Sequence, residues 1–220
     1  MNIIICPGIH ESAITQSFLQ KLRFLLSTEP NFKDSENILI FPAQNYSALS
    51  TFHILQFLSD AFGGMLFDHA TQTQSDHRFD NPQATSPLLF ISFSAGVVGA
   101  IGAAWGWQLL GGKVKAFIAL DGWGVPLFGN FPIHRLSHNY FTYWSSALLG
   151  SGEDSFYADP PVEHLEMWRS PQSVQGYWVH PTVSTQPQNL HQATPTRLTA
   201  GEFLTMLIER YGEEDAEIGR

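Results

Sequence analysis

Ser94 is the side chain in this sequence whose surroundings best suit nucleophilic chemistry. It ends the apolar run 87–93 and precedes 95–110, a run rich in Ala, Gly, Val and Ile. The first run reads as a buried strand and the second as a helix. A serine on so sharp a strand-to-helix turn is lifted off the sheet toward solvent. The first N–H groups of the helix stand beside it, where they can receive a developing negative oxygen.

A serine hydroxyl is a weak nucleophile at its own pKa. It needs a base within hydrogen-bond reach and an acid that orients the base. Of the nine histidines, His134, His138, His164, His180 and His191 follow Ser94. His164 is the first candidate, in a loop between a short strand at 155–158 and a helix start at Ser170-Pro171. His138, in Leu136-Ser137-His138-Asn139, is the alternative base. Asp121 is the first candidate acid, because it directly follows the strand-like 116–120 and Gly122 opens a turn behind it. Its other reading is a cap on that turn. Asp154, in a Gly-rich stretch, is the alternative acid, although only ten positions separate it from His164. The oxyanion donors expected are the amide of Ala95 and an amide of the loop after the first strand, at Ile9 or His10.

Metal chemistry has weaker support. His134 and His138 are four apart, and Asp68-His69 and Asp76-His77 repeat a pair, but neither has the spacing of a zinc signature. No metal and no cofactor is expected.

The elements that must position these residues alternate. Asn2–Cys6 is a β-branched run closed by Pro7-Gly8, and residues 11–26 place Ile14, Phe18, Leu22 and Leu25 at helical spacing. A strand at 37–41, a helix at 48–62, the strand ending at Phe93, the helix at 95–110 and a strand at 114–120 follow. Residues 133–144 and 155–158 offer further strands, 170–179 begins as a helix capped by Ser170, and 199–211 closes the chain as an amphipathic helix capped by Thr199. Strands alternating with helices predict a mostly parallel sheet covered on both faces, a three-layer α/β/α sandwich. Residues 68–86 read as a polar surface excursion, 180–198 as a polar loop and 213–220 as an acidic, solvated tail. The stripe Gly96, Gly99, Ala100 and Ala103 predicts that the helix after Ser94 packs very close to the sheet.

Composition narrows the function. A chain of 220 residues with 44% hydrophobic and 14% charged residues fits one domain with a large core. A net charge of −9 with only 11 scattered Lys and Arg argues against nucleic acid and anionic membrane surfaces. No run approaches a membrane span of ~20 apolar residues, and the N-terminus lacks a basic signal-peptide region. The single cysteine, Cys6, lies in an apolar stretch and reads as a buried, inert thiol. A cytoplasmic location is the expectation.

Together, the first strand running into Pro7-Gly8-Ile9-His10, the turn Ser92-Phe93-Ser94-Ala95-Gly96, Asp121 and a late His164 resemble the α/β-hydrolase fold superfamily, as a minimal member. The resemblance covers roughly residues 1–179. It implies cleavage of an ester, thioester or amide through an acyl-serine intermediate, without metal or cofactor. The expected partner is a small ester or thioester with an apolar portion, and the aromatic stretch 140–144 is a candidate wall for its cleft. The usual elbow is G-x-S-x-G, and here Ser92 replaces the first glycine. That departure motivates the other expectation, a catalytically inactive hydrolase-fold protein that binds a ligand or protein partner.

Overall fold

The computed structural model describes residues 1–27, 38–62, 86–150, 152–180 and 196–218, with side chains of the last stretch through 212. Its strands are β1 (Asn2–Cys6), β2 (Ile38–Ile40), β3 (Leu88–Phe93), β4 (Val114–Leu120), β5 (Ile133–Ser137), β6 (Asp154–Ala158), β7 (Gln175–Val179) and β8 (Thr196–Thr199). Its helices are α1 (Ser12–Ser27), α2 (Thr51–Phe62), α3 (Ala95–Leu109), α4 (Tyr140–Ala147), α5 (His164–Arg169) and α6 (Ala200–Ile218).

The strands form one eight-stranded sheet in the order β2-β1-β3-β4-β5-β6-β7-β8. Pairing is parallel from β2 through β6 and antiparallel for β6-β7-β8. The apolar strands are buried on both faces because helices cover both, and alternate residues feed two cores. Ile3, Ile5, Leu89, Ile91, Phe93 and Ile118 pack with α1, α5 and α6. Ile4, Cys6, Phe90, Phe117 and Ala119 pack with α2 and α3. This is the expected three-layer α/β/α sandwich.

The small-residue stripe on α3 serves two neighbours. A side chain at Gly96 would collide with the carbonyls of Cys6 and Pro7 at the end of β1, whereas one at Gly99 would meet Ala48 and Leu49 ahead of α2. The helix therefore nests against both the carboxyl end of β1 and the segment leading into α2, not the sheet alone.

Three elements from Ser170 onward depart from the sequence expectation. The Ser170-Pro171 start produces only a 3-10 turn at Pro171–Ser173, and the chain then enters β7. The paired β7 ladder supplies hydrogen bonds on both edges, which outweigh the local helix signal of the proline. Residues 196–198 of the expected loop, together with the expected cap Thr199, form β8, while 181–195, like most of the 68–86 excursion, lie outside the described residues. The closing helix runs on to Ile218, through much of the expected tail. At its start Thr199 and Glu202 form a reciprocal capping box: the Glu202 amide donates to Thr199 Oγ1 at 3.0 Å, and the Thr199 amide to Glu202 Oε2 at 2.7 Å.

Candidate functional site

At the carboxyl end of β3 the backbone turns at Ser94 with φ 52° and ψ −124° before α3 begins. A non-glycine residue there is strained by about 1–3 kcal/mol, and the surroundings hold it in place. The Ser94 amide donates to Leu120 O at 2.9 Å. Gly8 closes in from β1, where a Cβ would stand 2.9 Å from Ser94 Cβ. Ser92, two residues earlier, sits wholly buried between Cys6 on β1 and Ala119 on β4. The turn thus forms with serine in the glycine position. Beside it, burial pushes the Cys6 thiol up to about 12, as an inert thiol requires.

Asp121 follows β4 and also has positive φ, 54°. Its side chain is 1% exposed. His164, the first residue of α5, reaches it from across the sheet end: Nδ1 stands 2.5 Å from Asp121 Oδ2, and Nε2 stands 2.9 Å from Ser94 Oγ. An ionised carboxylate only accepts, so Nδ1 of His164 carries the proton and Nε2 presents its lone pair to the serine hydroxyl. Hydroxyl, imidazole and carboxylate then lie in one hydrogen-bonded series. In that order the imidazole can take the hydroxyl proton, and the carboxylate can stabilise the resulting imidazolium.

The imidazole plane is set by stacking. His164 lies on Phe93 with ring centres 4.7 Å apart, Phe93 on Trp168 at 5.1 Å, and Trp168 on Phe18 at 3.7 Å. His164 and Trp168 are i and i+4, so one face of the short α5 carries both. The sequence predicts His164 in a loop anchored between a strand and a helix; the structure makes it the opening residue of a helix.

His138, the alternative base, bonds to the acid instead. Its Nδ1 sits between the Asp121 oxygens, 2.8 Å from Oδ1 and 2.6 Å from Oδ2, and its backbone amide donates to Oδ1 at 3.1 Å. Burial raises the Asp121 carboxyl, but hydrogen bonds from His138 and His164 together outweigh it and hold the carboxyl below its ordinary range. The hydrogen bond to Asp121 raises His138, with burial opposing. Asp121, His138 and His164 bring three potential metal ligands within 4.8 Å of one another. Both Nδ1 protons are spent on the carboxylate, however, which explains the cluster as a hydrogen-bonded group.

Asp154, the alternative acid, opens β6 and so lies at the opposite rim of the parallel sheet from Ser94. It accepts from Arg210 Nη1 at 2.6 Å and Trp178 Nε1 at 2.9 Å, and pairs with His180 Nδ1 at 2.9 Å. The spacing of His134 and His138 is likewise a strand spacing, not a shared helix face: both lie along or just beyond β5. His134 is buried at the Asp154 end, where its Nε2 donates to Tyr211 Oη at 2.7 Å. The pairs Asp68-His69 and Asp76-His77 lie outside the described residues.

A cleft of about 380 Å³ opens over the serine. Ser94, Asp121, His138 and His164 form its polar side, and Ala95, Val98, Trp123 and Val125 its apolar side. Ile9 and His10 are not among the lining residues, although their loop abuts the elbow through Gly8. Residues 140–144 do not line it either. Phe141 instead backs Trp123, with ring centres 6.3 Å apart. Compared with protein-family models, curated proteins and solved structures, the chain has no match. The apolar wall carried no periodic signal in the sequence, since Val98 and Trp123 come from different elements and only the fold joins them.

The loop bearing Trp123 and Val125 is tied down by Arg135 on β5. This buried guanidinium donates to Gly150 O at 2.6 Å, Val125 O at 3.0 Å and Leu149 O at 3.1 Å. Burial lowers its pKa to about 10.

Proposed function

We propose that this protein is a serine hydrolase that cleaves an ester or thioester with an apolar portion through an acyl-serine intermediate. The observation that carries the reading is the single imidazole of His164 bridging Ser94 Oγ and Asp121 Oδ2. The resemblance to the α/β-hydrolase superfamily belongs to the same proposal.

In this reading Ser94 Oγ attacks the substrate carbonyl carbon while its proton passes to His164 Nε2. Asp121 stabilises the imidazolium through Nδ1–H and keeps the correct tautomer. The oxygen of the tetrahedral intermediate faces the Ala95 amide, which as the first residue of α3 has no acceptor within its own helix. The loop bearing Ile9 and His10 supplies the second donor. The intermediate collapses as His164 returns the proton to the leaving oxygen or sulfur. Water, deprotonated by the same imidazole, then releases the acid. Val98, Trp123 and Val125 offer the apolar wall for the substrate.

A fluorophosphonate probe tests this. The folded wild type is expected to be phosphonylated on Ser94, located by peptide mass, and Ser94→Ala to remain unlabelled. A folded wild type that neither labels nor hydrolyses p-nitrophenyl esters would leave the binding-protein reading standing.

A further inference from the structure

We infer that His138 is a positioning residue that controls the charge of the Asp121 carboxylate, so that hydrolysis is shut down when His138 takes up a proton. The inference rests on the proposed Ser94–His164–Asp121 hydrolase.

Asp121 serves two imidazoles. His164 Nδ1 approaches Oδ2 at 2.5 Å, while His138 holds the carboxylate twice, through its amide at 3.1 Å and its Nδ1 at 2.8 Å from Oδ1. The two rings meet edge to face with centres 6.0 Å apart. Nothing in the proposed proton path requires a second histidine. Its double hold stops the carboxylate rotating and keeps Oδ2 turned toward His164.

The same contact makes the acid's charge conditional. While His138 is neutral, the full charge of Asp121 is available to stabilise a His164 imidazolium. Once His138 is protonated, that charge is shared between two cations, and the cations repel one another. The side chain of His138 is 22% exposed and lines the cleft, so a proton reaches it from solvent. The groups facing it are Asp121 from the end of β4, His164 from α5 and Glu163 just before α5. The two carboxylates favour the His138 cation, which places its uptake above the pH of an unperturbed histidine.

The pH profile of kcat/KM for a p-nitrophenyl ester tests the inference, with tryptophan fluorescence confirming a folded protein at each pH. The wild type is expected to lose activity on the acid side in two successive proton steps, the first at His138, because both imidazoles must be neutral and the first cation opposes the second. His138→Asn retains a donor for Oδ1 but cannot titrate. Its plateau is expected to fall by up to about tenfold while its acid limb becomes a one-proton limb. If the asparagine variant does not fold, the pH dependence of fluorophosphonate labelling of wild-type Ser94 carries the same two-proton signature. A one-proton limb in the wild type, or a two-proton limb that persists in His138→Asn, overturns the role of His138 while leaving the hydrolase reading intact. A wild type without labelling or turnover overturns the hydrolase reading itself.

Discussion

Ser94 and Asp121 stand at one level on neighbouring parallel strands, each one residue past the paired Phe93 and Leu120, and both turn with positive φ, 52° and 54°. The Ser94 amide bonds to Leu120 O, and the Asp121 amide to Leu136 O at 2.7 Å. The two strained turns lift both side chains off the same rim, so a single imidazole arriving from α5 reaches the two of them. Strain of about 1–3 kcal/mol at each is the cost of that placement.

Exchanging the two candidate acids separates reaction from stability. Asp121→Asn is expected to lower kcat by about 10⁴-fold, because the imidazolium loses its counter-charge and its tautomer. Asp154→Asn, at the far rim, is expected to leave kcat unchanged and to destabilise the protein by about 1 kcal/mol, since it weakens the charged hydrogen bond from the part-exposed Arg210. Ester kinetics paired with urea denaturation read both effects.

Stability is expected to fall as pH drops from 6.5 toward 4. Burial depresses His134 from 6.5 to about 4. Its Nδ1 accepts from the Asp154 amide at 3.3 Å, leaving no proton there in the neutral ring. A depressed folded value means that the unfolded chain binds the proton first, so the contribution is complete above pH 6.5 and is lost below it. At about 1.4 kcal/mol per pH unit the loss amounts to about 3 kcal/mol. Urea midpoints measured across this range should flatten in His134→Gln.

The ring stack beneath His164 links the core to the site. Trp168→Ala is expected to cost about 3–5 kcal/mol through the cavity it leaves. Trp168→Phe should cost less, yet lower kcat more than it changes KM, because the imidazole loses its fixed plane. Thermal unfolding and steady-state kinetics on the two variants distinguish the contributions.

Gly96→Val should prevent the elbow from closing, since its side chain meets the backbone carbonyls of Cys6 and Pro7. Backbone cannot yield as a flexible side chain does, so loss of soluble folded protein, or a loss of stability above about 3 kcal/mol, is expected. A Gly111→Val control, where nothing lies within 4 Å of the added Cβ, separates this collision from the general effect of replacing a glycine, although its φ of +90° carries its own strain.

Trp123→Ala removes most of the apolar wall. KM is expected to rise by about 10-fold for esters with longer acyl chains and to change little for acetate, as the removed area predicts. A p-nitrophenyl series from acetate to octanoate measures it; an equal change along the whole series would place the chain elsewhere.

Much of this protein was legible in its order of residues. The buried runs 2–6, 88–93 and 114–120 announce strands because their helices cover both faces, and Ser94 announces the turn because a strand meets a helix there with no room for a loop. Asp121 was favoured over Asp154 from its place at a strand end, and the parallel sheet puts the two at opposite rims. What local sequence did not convey was long-range. The β7-β8 edge overrode the Ser170-Pro171 helix signal, since ladder hydrogen bonds come from partners distant in the chain. His164 opening α5, its stack on Phe93, Trp168 and Phe18, and the double hold of His138 on Asp121 arise from elements whose spacing carries no periodicity. Local patterning determined the elements and the serine at their junction. Tertiary packing alone decided which histidine faces that serine, because sheet order sets which strand ends become neighbours.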